Sequence, residues 1–196
     1  MAACRTGAEP APPLIQPGAP GQSSRVITAE KAVDSNGTRH SDADIRFMQG
    51  MIGHHAQALE MTALVPSRTG SEAIRKLAER IDLSQADEIK MMQAWLTRRG
   101  QPLPDPHAHH REGAVLMPGM LTPDEMTQLS SARGAEFDRL FLELMIKHHE
   151  GALTMVNGLL ATAGAGQEPD IFAFVSDVDA DQRMEIDRMA AMLNSK

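Results

Sequence analysis

From residue 41 onward, apolar side chains recur at the spacing of a helix rather than of a strand. Phe47, Met51, Ala58 and Met61 share one stripe inside a run from Asp44 to Val65, which Ser41 and Asp42 cap and Pro66 ends. Ser71 caps a second run to Arg99, with Glu72 in its first turn and Gly100 just past its end. Residues 100–122 hold too much Pro and Gly for a helix. Thr122-Pro123-Asp124-Glu125 then opens another, Thr as N-cap and Pro at the first helical position. It runs toward Ala161, with a bend or break at Gly134. GAGQEP is a turn, and a last helix covers Asp170 to Leu193.

The pattern is doubled. MIGHHAQALEM (Met51 to Met61) and MIKHHEGALTM (Met145 to Met155) share seven of eleven residues at an offset of 94. QADEIKMMQAWL (Gln85 to Leu96) and QRMEIDRMAAML (Gln182 to Leu193) share six of twelve at an offset of 97. A repeated helical hairpin most simply makes a four-helix bundle, each hairpin burying its stripe against the other. The domain reading is therefore repeat one at 41–100, a long loop at 101–122 and repeat two at 123–196.

Composition agrees with helix: aromatics are 3%, Tyr is absent, and Met numbers 14. A net charge of −7 argues against nucleic acid as a partner. No apolar run approaches the about 18 residues of a membrane span. The single cysteine, Cys4 in MAAC, excludes a disulfide framework within the chain. It resembles the lipid-modified Cys of a bacterial lipoprotein whose leader has been removed, which would tie the protein to a membrane. Residues 1–40, rich in Pro, Gly and Ala, then read as a disordered tether.

The candidate chemistry lies on the helix stripes. His54 and His55 straddle the first stripe, and His148 and His149 straddle its counterpart of Phe141, Met145, Ala152 and Met155. Glu88 sits mid-stripe with Ile81, Ser84, Met92 and Trp95; Glu185 does so with Val178, Asp181, Met189 and Met192. A buried imidazole needs a hydrogen-bond partner or a metal, and a buried carboxylate needs a partner or a cation. The candidate ligands are thus His54, His55, Met51, Met61, Glu88 and Met92, with His148, His149, Met145, Met155, Glu185 and Met189. The loop adds His107, His109 and His110 in PHAHHRE, and Met117 and Met120 in MPGM. His40 reads as a surface residue.

Glu88 is followed at +3 by Met91 and Glu185 by Arg188, so the Glu-x-x-His of di-iron bundles is absent. There is no His-Glu-x-x-His, and thiolates are absent from the stripes. Imidazole with thioether suits copper, as Cu(I) or Cu(II), and silver as the related soft ion. Two other readings stay open: a redox metalloenzyme with the metal held by His54, His55, Glu88 and their equivalents, and a structural or interaction bundle with buried His–Glu networks.

These residues, with Asp44, Phe47-Met48, Ile52, Ala58, Ile89, Trp95-Leu96, Pro118-Gly119, Phe137-Asp138, Ile146 and Ala152, resemble a bacterial family called domain of unknown function three-hundred-and-five. The resemblance covers residues 41–193, and its most distinctive element is the doubled MI-x-HH-x-x-A. It implies an all-α, ferritin-like four-helix bundle, exported to the periplasm or cell surface and often lipid-anchored. Its relatives include a cyanobacterial periplasmic copper-binding protein, which implies copper sequestration or delivery. The chain departs from an even repeat at one place, Met192 standing where the first half has Trp95.

Overall fold

The structure, a computed structural model, describes residues 14–16, 24–27, 40–111 and 113–195. Two units are described separately, residues 1–39 and 40–196. In the first, Leu14–Gln16 (β1) pairs antiparallel with Arg25–Ile27 (β2), Ile15 opposite Val26. Where a tether was expected, the β-branched residues Ile15, Val26 and Ile27 thus form a short ribbon. Cys4 and the rest of that segment lie outside the described residues.

The second unit is all-α: Asp42–Arg68 (α1), Glu72–Arg98 (α2), Pro123–Ser131 (α3), Gly134–Leu160 (α4) and Pro169–Asn194 (α5). The start signals work as read. The Ser41 hydroxyl accepts from the Asp44 N–H while the Asp44 carboxylate accepts from the Ser41 N–H, and Thr122 with Glu125 repeats that capping box. Ser71 caps α2, and Gly100 beyond its end takes a φ of 65°. Two boundaries differ from the expectation. Pro66 does not end α1, because the bond it forfeits falls in the last turn; the chain leaves at Thr69, whose N–H still reaches the Val65 carbonyl at 3.3 Å. The third predicted helix is two, since Ala132 and Arg133 are extended and Gly134 has a φ of 58°. Lys147 and Glu125, 2.6 Å apart, hold short α3 against α4.

α1 and α2 form one hairpin, α4 and α5 the other, and α1 packs on α4. The core falls into two apolar clusters. One takes Ala58–Val65 of α1, Ile74–Ile81 of α2, Phe137–Met145 of α4 and Met189 of α5. The other takes Phe47–Ile52, Met92–Leu96, Ala152–Leu159 and Ile171–Val178 from the same four helices. Between them every long helix contributes buried polar side chains: His54 and His55, Gln85 and Glu88, His148 and His149, Gln182 and Glu185. The doubled sequence therefore builds one polar layer across the middle of the bundle.

Trp95 belongs to the second cluster, where its Nε1–H donates to Glu168 at 2.9 Å and the Arg99 guanidinium stacks 4.1 Å above its ring. Met192 lies at the edge of the first. The departure from an even repeat thus falls at opposite ends of the bundle, away from the polar layer. His40 is half-buried, edge-on to Trp95 at 5.4 Å between centroids.

Candidate metal centre

All four helix histidines are fully buried, which settles that both members of each pair face inward. They divide into two kinds. The Nε2–H of His149 donates to Glu185 at 2.7 Å, and that of His55 to Glu88 in a shorter bond, so each hairpin ties one imidazole to its own carboxylate. His54 and His148 meet each other instead across the contact between α1 and α4, their ring centroids 3.9 Å apart. His54 donates Nε2–H to the Pro118 carbonyl at 3.0 Å. Neither ring nitrogen of His148 has a partner.

These bonds fix which nitrogen carries the proton. A carbonyl oxygen only accepts, so Nε2 is protonated in His54, and the contacts of His55 and His149 aim their Nε2 at a carboxylate in the same way. In neutral His54 the lone pair is then on Nδ1, and the Nδ1 atoms of His54, His55 and His149 are all buried without a partner. Burial first, and the neighbouring His55 second, lower the His54 pKa to about 3, against the Pro118 bond. Burial, followed by His54, His149 and His55, holds His148 well below 6.5, against the His54 backbone, which faces the ring without closing a hydrogen bond of ordinary geometry. Both are neutral imidazoles at physiological pH, with free lone pairs in a dry layer. An unpartnered buried nitrogen costs about 1–3 kcal/mol, and a metal ion is one way to satisfy it. Imidazole and carboxylate are donors such an ion accepts, although no three of the helix histidines and glutamates bring ligand atoms within 4.8 Å of one another; the bonds to Glu88 and Glu185 have the form of the carboxylate–imidazole pairs that orient metal ligands.

Glu88 and Glu185 also share a wall. Asp181 stands beside both, and burial, then Glu88 and Glu185, raise its carboxyl above the usual range. A cleft of about 300 Å³ between α2 and α5 is lined by Asp87, Glu88, Asp177 and Asp181 among others. Arg80 comes within 3.8 Å of Glu185.

The candidate methionines are mostly core. Met51, Met61, Met92, Met145 and Met189 are fully buried in the two apolar clusters, and Met155 packs half-buried against the second. Met117 lies over α1, its sulfur 3.1 Å from where a Cβ on Gly50 would stand, and Met120 is buried. Between these two, Gly119 presses on Gly151 of α4, and Gln57 clamps Leu121 by donating to its carbonyl at 2.9 Å and accepting its N–H at 2.7 Å. The MPGM turn is thereby held where its Pro118 carbonyl meets His54.

The loop histidines gather elsewhere, around the Glu60 carboxylate on α1. His107 Nδ1 and His110 Nε2 lie 2.9 and 2.8 Å from Oε1, and His109 Nε2 lies 3.4 Å from Oε2. Burial is the largest single influence on Glu60 and raises its pKa, but the bonds from His110, His107 and His109, with the charge of His109, together outweigh it and lower the pKa. Glu60 was missed in the sequence because it reads as an exposed position of α1; no local signal pairs it with a loop 47–50 residues away. Gln85 and Gln182 were missed too, although each stands three residues before its Glu in both repeats.

Residues 44–193 match the family described as Domain of unknown function (DUF305). Among solved structures, a DUF305 fragment from Deinococcus radiodurans is similar at 33% identity and a TM-score of 0.69, over 80% of this chain and 99% of that one. A DUF305 protein from Streptomyces coelicolor, named as a candidate secreted protein, is 32% identical with a TM-score of 0.67, over 78% and 92%. CopM in its Cu(II)-bound form is 26% identical with a TM-score of 0.64, over 77% and 95%, and its Ag- and Cu(I)-bound forms are similar as well. An uncharacterized protein, L153 of Acanthamoeba polyphaga mimivirus, is 38% identical over 56 residues, 29% of this chain and 37% of that protein.

Proposed function

The chain belongs to the DUF305 family, and from that premise we propose that it is an exported protein that sequesters or delivers copper or silver through its buried polar layer. The observation that carries this is His148, a fully buried imidazole with neither ring nitrogen partnered, in contact with His54. Imidazole lone pairs in a dry site serve Cu(I), Ag(I) and Cu(II) alike. His54 and His148 are the central ligands in this reading. His55 and His149 stand beside them, oriented by Glu88 and Glu185. The acidic cleft at Asp87, Asp177 and Asp181 gives a cation a route inward. The metal-bound forms of CopM, a protein of the same fold, support the choice of ion.

Thioether donation from Met51, Met61, Met92, Met145, Met155 and Met189, with Met117 and Met120 over α1, would favour the monovalent ions. Export rests on the Streptomyces relative and on the lipoprotein-like Cys4. No helix of the described residues is long and apolar enough to cross a membrane; in this reading a lipid on Cys4 is the anchor.

The test is metal analysis of protein purified without an affinity tag, followed by Cu(I) and Ag(I) titration against a chromogenic chelator. At least one tightly held ion per chain is expected. A chain that leaves both ions with the chelator overturns the reading, and the buried pairs are then a structural network. Acylated Cys4 peptide, lost in Cys4→Ser, is the corresponding check on location.

A further inference from the structure

The loop histidines and Glu60 form a cluster that the copper and silver reading does not use. It is assembled from two places. Glu60 comes from α1, half-buried. His107, His109 and His110 come from a turn containing a single 3-10 helix, Ala108–His110.

That turn is shaped by bonds of its own. Asp105 accepts from the His107 N–H at 3.0 Å and from Arg111 at 3.0 Å. The loop is tied to α1 where Gln49 donates to the Pro102 carbonyl at 2.9 Å. The three rings are thus presented to Glu60 by a backbone that Glu60 does not itself organise.

Their atoms converge. One carboxylate oxygen each from Glu60 and one nitrogen each from His109 and His110 all lie within 4.8 Å of one another. Among the described residues, no other His, Cys, Asp or Glu trio meets that spacing. In a tetrahedral site with bonds of about 2.0–2.2 Å, ligand atoms stand roughly 3.3–3.6 Å apart. The nitrogen-to-oxygen distances here are 2.8 Å for His110 and 3.4 Å for His109. Small movements would open the trio around an ion. His107, 2.9 Å from the same carboxylate, is placed to steady Glu60 or to join as a fourth ligand.

The His109 side chain is 6% exposed, so its ring is held in beside Glu60 rather than out in solvent, with Nε2 toward the carboxylate.

We infer that Glu60, His109 and His110, with His107, form a second metal site that takes a borderline divalent cation such as Zn²⁺ or Cu²⁺. The set is imidazole and carboxylate only, with no thiolate and no thioether among its members. Such a set suits divalent ions of this class and gives Cu(I) or Ag(I) no added sulfur donor. The site goes beyond the proposed copper and silver reading: it uses different atoms, and it stands or falls separately.

The experiment is calorimetric titration of metal-free, untagged protein with Zn²⁺, comparing wild type with Glu60→Gln and with His110→Ala. Glu60→Gln keeps the side-chain volume and His110 is largely exposed, so helix content by circular dichroism should match wild type in both. Wild type is expected to bind one more equivalent of Zn²⁺ than either variant, while Ag(I) titration against a chelator is the same in all three. His148→Leu should show the converse, keeping that Zn²⁺ equivalent and binding Ag(I) more weakly. Equal Zn²⁺ stoichiometry and affinity in wild type and both loop variants overturns the inference. Failure of the copper and silver reading would appear differently, as no Ag(I) binding by wild type, and would leave the Zn²⁺ comparison intact.

Discussion

The rings of His54 and His148 meet with centroids 3.9 Å apart and planes tilted by 41°, each ring fully buried. A contact between two desolvated imidazoles, one with both nitrogens unpartnered, adds little to the stability of a metal-free bundle. It makes sense as a place where something else binds.

The first prediction follows from that contact. His148→Leu replaces an unpartnered buried imidazole by an apolar side chain of similar size and breaks no hydrogen bond. The metal-free protein should gain on the order of 1–3 kcal/mol, or about 2–4 °C in melting temperature per kcal/mol. Cu(I) and Ag(I) should bind more weakly. A melting temperature that falls would instead make His148 a structural residue.

Glu88 and Glu185 give the second. Gln at either position can still accept the Nε2–H of His55 or His149, so packing is kept, but the charge is lost. Loss of such an orienting carboxylate lowers metal affinity by about 10- to 100-fold. Glu88→Gln and Glu185→Gln should each show a drop of that size in Cu(I) competition, with little change in helix content. The two variants should resemble each other, because the repeat gives both carboxylates the same partner. Undiminished affinity in both would remove Glu88 and Glu185 from the site.

The helices were legible because their signals are local: Ser41, Ser71 and Thr122 each cap a helix within three residues of the group they satisfy. The polar layer was legible because it is written twice, His54-His55 with Glu88 and His148-His149 with Glu185. What the sequence could not show depends on folding back. Pro118 contributes a backbone carbonyl, which carries no side-chain signature, and it reaches His54 across 64 residues. Glu60 looks like any solvated acid until the loop arrives. Gly134 was visible as a weak point in a long helix, but whether the chain bends or breaks there depends on the left-handed φ that only the structure shows.

The third prediction concerns pH. His54 and His148 have folded pKa values below the ordinary 6.5, His54 at about 3. In the unfolded chain each takes up a proton near 6.5, while the folded chain excludes it. The unfolded state therefore binds more protons below pH 6.5, and the stability of the metal-free protein falls as the pH drops through that value toward about 3. Each group contributes a limiting slope of about 1.4 kcal/mol per pH unit. The melting temperature of metal-free protein should decline from pH 7 to pH 5, and His148→Leu should make the decline shallower. A flat profile over that range would mean that the two rings are not held neutral by burial.

The last prediction pairs two glycines on one helix. A Cβ on Gly151 would collide with the Pro118 carbonyl and stand 2.6 Å from the Gly119 Cα, so it meets backbone rather than a side chain that could swing away. Around Gly158, seven residues on, a Cβ would meet nothing within 4 Å. The same substitution should therefore have opposite signs. Gly158→Ala should stabilise α4 by up to about 1 kcal/mol through helix propensity alone. Gly151→Ala should cost about 1–3 kcal/mol, the usual penalty of overpacking. The damage should also be specific. The carbonyl that His54 needs rides on the displaced turn, and Gln57 holds only the far side of that turn at Leu121. With Pro118 pushed away, the Nε2–H of His54 loses its acceptor and the lone pair is no longer confined to Nδ1. Cu(I) affinity should fall in Gly151→Ala and stay unchanged in Gly158→Ala, measured on protein that retains its helix content. Equal stability and equal Cu(I) affinity in the two variants would show that the MPGM turn does not position His54.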